Sequence, residues 1–215
     1  MPLFVEDLVG TDLLGDTYAG SARISPVVKG DAYAISSVSG LFTSGQAING
    51  CQFAMRSSPA AKRNVYITHL RVQWCVTVAF ATAVTAGRRL EVYRGSGAAA
   101  SAGTALATPA LLHPYSPPSW CAASMGGDIR IAAATTLTVT GITFETQPIE
   151  GFQTAGWGAA AAYVAFERNY DNPGSSPIIL RPGELIAVRN VQAMDASTGA
   201  VANWQIGVEV EWHEA

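Results

Sequence analysis

Period-two alternation of apolar and polar side chains is the strongest pattern in the chain. From Tyr66 the even positions read Tyr66, Thr68, Leu70, Val72, Trp74, Val76, Val78 and Phe80, while His69, Arg71, Gln73 and Thr77 are polar. This is the pattern of a half-buried β-strand. Drawn from Val65 to Phe80 it would run roughly 50 Å, longer than strands usually are. A bulge or a change of sheet is therefore expected near His69. The C-terminal run is cleaner, with Trp204, Ile206, Val208, Val210 and Trp212 on one face and Gln205, Gly207, Glu209, Glu211 and His213 on the other. The first face is expected in a core and the second in water.

Shorter strand candidates are Leu41–Thr43, Gln52–Arg56, Arg89–Arg94, Ile129–Ile131, Thr136–Thr140, Ile142–Phe144, Ala162–Arg168, Ile178–Leu180 and Leu185–Asn190. Turn formers separate them: Ser57-Ser58-Pro59, Gly95-Ser96-Gly97, Ser116-Pro117-Pro118, Gly126-Gly127-Asp128, Asn172-Pro173-Gly174 and Arg181-Pro182-Gly183. Many short strands, recurrent Gly/Pro turns and no amphipathic helix give an all-β, antiparallel β-sandwich, for which a jelly roll is the expected topology. Residues 51–215 are assigned to the sandwich. Residues 1–50 read as an N-terminal arm with one short strand, and Phe4, Leu8, Leu13 and Leu14 are its assembly contacts, apolar among Gly, Asp, Ser and Thr. Ala98–Leu112 is an Ala/Ser/Gly/Thr-rich stretch whose pattern fits a long loop or a short helix.

The chain's charge is more informative than its length. Only 13% of the 215 residues are charged, against about 25% in an ordinary soluble domain, and 49% are hydrophobic. Mean hydropathy is +0.21. A chain this poor in charge cannot cover its own surface in the usual way, which points to burial in an assembly. Thirteen Lys and Arg against 16 Asp and Glu give a net charge of −3, which argues against nucleic acid as the main partner. The longest apolar run, Trp157–Phe166, is half the length of a bilayer span and is interrupted by Gly158, so no membrane partner is expected. The first residues lack the basic and apolar regions of a secretory signal, which fits an unprocessed cytoplasmic product.

Candidate chemistry is sparse. Cys51, Cys75 and Cys121 are odd in number, widely spaced and without a C-x-x-C pair, as buried thiols would be. His69, His113 and His213 are scattered, so neither a metal nor a cofactor is expected. Gly95-Ser96-Gly97 has Ala100 where a dinucleotide loop needs its third glycine. No G-x-S-x-G elbow occurs. Glu145 and Glu150 are spaced as the acid and nucleophile or base of a glycosidase could be, although exposed strand and loop carboxylates are far commoner. Trp74, Trp204 and Trp212 lie on apolar strand faces and belong to the core, whereas Tyr115, Trp120 and Trp157 stand in Gly/Ser/Ala/Pro-rich stretches where aromatic rings suit surface recognition.

The C-terminal third carries a resemblance. Ile178-Ile179-Leu180-Arg181-Pro182-Gly183-Glu184-Leu185-Ile186-Ala187-Val188-Arg189-Asn190, then Ala193-Met194-Asp195-Ala196, then the alternation closing on Glu209-Val210-Glu211-Trp212, resemble the closing strands of β-sandwich structural proteins of tailed bacteriophages. Arg89-Leu90-Glu91-Val92-Tyr93-Arg94 with its Gly/Ala/Thr-rich continuation is similar to the middle of such proteins. The resemblance implies a non-enzymatic virion component, a capsid decoration or cement protein or a head- or tail-attached one. It would assemble in the host cytoplasm as a homo-oligomer, a trimer being expected, against the major capsid protein or other virion proteins. Two other readings compete with it: a receptor- or glycan-binding module using Tyr115, Trp120 and Trp157, and a polysaccharide-degrading enzyme using Glu145 and Glu150.

Overall fold

The computed structural model describes residues 31–43, 45–78, 80, 88–106, 113–114, 128–154, 162–170, 176–194 and 203–214. Their regular elements are all strands: β1 (Asp31–Val38), β2 (Cys51–Arg56), β3 (Val65–Val78), β4 (Arg88–Gly97), β5 (Thr104–Ala105), β6 (His113–Pro114), β7 (Asp128–Ile131), β8 (Ile142–Phe144), β9 (Glu150–Thr154), β10 (Ala162–Asn169), β11 (Ile178–Leu180), β12 (Glu184–Asn190) and β13 (Asn203–Glu214). The first sheet has the order β10-β3-β13-β1-β6, with β11 also on β3. The second has the order β5-β7-β2-β12-β4-β8, with β9 also on β4. Every strand pair is antiparallel.

The pairing is nested. β1 pairs with β13 and β2 with β12; β3 pairs with β10 and β11, and β4 with β8 and β9. The chain thus goes out through four strands that alternate between the sheets and comes back beside itself, as a long hairpin folded over on its own length. Residues from both sheets share one hydrophobic cluster, Val72, Trp74, Ile206 and Val210 from the first and Phe53, Met55, Val92 and Val188 from the second. This is the arrangement of a β-sandwich. At an edge, Arg168 Nε on β10 lies 3.2 Å from Glu150 Oε2 on β9 and ties one sheet to the other.

The long alternating segment is a single strand with a bulge where one was expected. Glu211 pairs with His69 but Trp212 pairs with Ile67, so Thr68 is the extra residue. The bulge reverses the phase. Beyond it Leu70, Val72, Trp74 and Val76 face the core as the even positions predict, but before it Val65 and Ile67 are buried while Tyr66 and Thr68 are not. On β13 the alternation holds from Trp204 to Trp212, and His213 departs from it: the ring stacks on Tyr66 at 5.1 Å and is buried, not wet.

Other expectations need correction. Gly95-Ser96-Gly97 is the end of β4 rather than a turn, paired with β12 and β8. Leu41–Thr43 and Thr136–Thr140 make isolated bridges, Phe42 to Trp204, Leu137 to Cys51 and Thr138 to Ser101, in place of strands. The first strand described lies earlier, at β1, which enters the first sheet between β13 and β6. Within Ala98–Leu112 the described residues contain the short β5, which pairs with β7 and forms an edge of the second sheet. The Arg181-Pro182-Gly183 turn is as the sequence predicts: Glu184 N donates to Arg181 O at 2.9 Å, and Gly183 has φ +86°.

Candidate interaction surfaces

The residues singled out for assembly or recognition, Phe4, Leu8, Leu13, Leu14, Tyr115, Trp120 and Trp157, lie outside the described residues. The candidate chemistry inside them is dispersed. Glu145 stands 4.0 Å from Arg94, and Glu150 is held by Arg168, so each carboxylate is matched with a different arginine. His69 Nε2 is 3.2 Å from Glu167 Oε1. Among the described residues no three His, Cys, Asp or Glu side chains stand together as metal ligands. Cys51 is fully buried, and burial pushes its thiol up to about 12, far from a reactive thiolate.

What the fold does build is two outer faces of different character. On the first sheet the register sets Glu167, Arg71, Glu209 and Ser36 side by side across β10, β3, β13 and β1. Arg71 lies between the two carboxylates, 3.7 Å from Glu167 and 3.4 Å from Glu209. Glu211, two residues further along β13, stands opposite His69. Gly207 and the short Ser36 and Ser37 leave a shallow polar depression of about 240 Å³ bordered by Val38, Arg71, Gln73 and Glu209. Three carboxylates against Arg71 make this face acidic.

The second sheet is the reverse. Its register sets Arg130, Ala54, Ala187 and Tyr93 in one row across β7, β2, β12 and β4. Arg56 and Asp128 form an ion pair in the row on one side, 2.8 Å apart, and in the row on the other Arg189 stands opposite Glu91 in the register, whose carboxylate is taken by Arg89. The Arg189 guanidinium lies over two rings, 5.2 Å from the centroid of Tyr93 and 4.2 Å from that of Phe144. It also donates to Asn49 O through Nε (3.3 Å) and Nη2 (3.2 Å). The Tyr93 hydroxyl donates to Glu91 Oε2 at 2.6 Å. Burial and that carboxylate both hold the Tyr93 phenol above its ordinary range. Four guanidiniums, Arg56, Arg89, Arg130 and Arg189, meet two carboxylates, Asp128 and Glu91.

These faces were hidden from sequence reading because their charges come from strands far apart in the chain. Their only local signal was the polar phase of each alternation. No family model, curated protein or solved structure matches the chain.

Proposed function

We propose that the chain is a jelly-roll structural subunit of a bacteriophage particle, which decorates or cements the capsid by binding copies of itself and neighbouring virion proteins such as the major capsid protein. One observation carries the reading: the nested pairing of β1–β4 with β8–β13, with consecutive outgoing strands alternating between sheets. With β8 and β9 counted as one strand along β4, and β10 and β11 as one along β3, this is the order that an eight-stranded double Greek key requires, the architecture used by viral capsid domains among others. In this reading β5, β6 and β7 are additions at the sheet edges. Scarcity of charge supports it further, since a subunit enclosed by its neighbours has less surface to keep in water. The resemblance of the closing strands to phage sandwich proteins supplies the context. Copies joined in a closed trimer bind through many modest contacts, and an array of them holds a shell more firmly than one contact does. The role needs no catalytic group.

The arm supplies the first test. Removing residues 1–15 is expected to leave the β-sheet circular dichroism and a cooperative melt in place while the protein falls to the mass of one copy. An unfolded product would assign those residues to the core and overturn their role in assembly.

A further inference from the structure

We infer that the outer face of the second sheet is the seat for residues 1–16 of a neighbouring copy, an inference that rests on reading the chain as a self-associating subunit. Positive charge on this face is only partly compensated. Arg56 is matched by Asp128, and Arg89 by Glu91 at 2.5 Å. Arg130 donates to a backbone carbonyl, Ala102 O, at 2.9 Å, and Arg189 to Asn49 O. Neither has a carboxylate partner among the described residues. In a chain of net charge −3, a sheet face with surplus guanidiniums beside two aromatic rings calls for an acidic partner with apolar side chains. Arginine and aromatic residues are also the groups from which interface hot spots are built.

Residues 1–16 have that chemistry. They carry Glu6, Asp7, Asp12 and Asp16 with no Lys or Arg, and interleave them with Phe4, Leu8, Leu13 and Leu14. Carboxylates on this segment can take bidentate hydrogen bonds from Arg130 and Arg189, while its apolar side chains cover Tyr93 and Phe144. The acidic outer face of the first sheet, with Glu167, Glu209 and Glu211, would repel the same segment. Residues 17–30 lead from it to β1 and reach at most about 50 Å when fully extended. β1 begins beside Glu214 in the first sheet, whereas the basic face belongs to the second sheet and points the other way. To reach its own basic face the segment has to pass round the sandwich; a neighbour can present that face directly. In this arrangement the segment is exchanged between copies, and a ring of such exchanges closes the oligomer.

The test is a charge swap in the full-length chain, read by sedimentation of purified protein at low and high salt. Arg130→Glu is expected to weaken self-association at least tenfold, as is the triple change Glu6→Lys, Asp7→Lys, Asp12→Lys, while Arg130→Lys, which keeps the charge but not the bidentate bond, weakens it less than Arg130→Glu does. Combining Arg130→Glu with the triple change is expected to restore association, and 0.5 M salt to weaken the wild type. If Arg130→Glu fails to fold, the triple change and its salt dependence carry the test alone. A wild-type oligomer unmoved by either reversal overturns the seat and leaves the proposed function standing. A wild type that sediments as one copy at every concentration overturns both.

Discussion

Gln52 Nε2 donates a 2.6 Å hydrogen bond to Asn190 Oδ1 where β2 and β12 change register. Val188 pairs with Phe53 but Arg189 pairs with Cys51, so Gln52 is the extra residue of a bulge. Asn190 completes the junction by donating through Nδ2 to Ala47 O (2.8 Å) and Gln192 O (2.6 Å). Both side chains are fully buried. A buried bulge frees backbone and side-chain polar groups, and this amide pair joins them into one network.

Asn190→Ala is therefore expected to cost about 3 kcal/mol, because it strands several buried polar groups at once. Asn190→Asp, though nearly the same shape, should cost at least as much, since a carboxylate cannot donate to Ala47 O and Gln192 O. Urea unfolding checks both. A midpoint within experimental error of the wild type for either variant would remove the network from the account of stability.

Two glycines separate backbone strain from steric clash. Gly183 has φ +86° with open space around it, so Gly183→Ala should cost only about 1 kcal/mol, the penalty of a left-handed L-residue. At Gly40 an added Cβ would run into the carbonyl of Ala133, so Gly40→Ala should cost about 3 kcal/mol. The order of the two melting temperatures is the readout, and the reverse order would contradict the packing described at Gly40.

Alkaline pH should weaken the fold. The Cys51 thiol is raised by burial from 9.0 to about 12, so its native state keeps the proton that the unfolded chain releases. The stability this contributes is complete below pH 9, the unfolded value, and is lost as pH rises toward the folded value. Tyr170, also raised mainly by burial, acts in the same direction above its ordinary value of 10. Urea midpoints are expected to fall between pH 8 and pH 10.5, and to fall less steeply in Cys51→Ala. A wild-type midpoint that rises over this range would contradict the sign.

Much of the fold was legible because a strand half in water writes its burial into alternate positions. β13 was readable from Trp204 to Trp212 for that reason, and the bulge near His69 from the length of β3. The phase reversal at Thr68 was not, since Tyr66 fits a core face as well by polarity as Val65 does. β1 escaped because Ala32, Ala34, Ser36 and Ser37 give almost no contrast along the strand. Gly95-Ser96-Gly97 read as a turn from composition, yet in β4 Gly95 leaves room for Phe144 close against it. The charged faces depend on register between β3, β10 and β13, and between β2, β4, β7 and β12, which no local pattern encodes.

The central claim is that the chain acts as a self-assembling structural subunit, and the mass of the intact purified protein in dilute solution, by light scattering, tests it most directly. A discrete mass of three 22.4 kDa copies is expected. A mass of one copy at every concentration tried would contradict it.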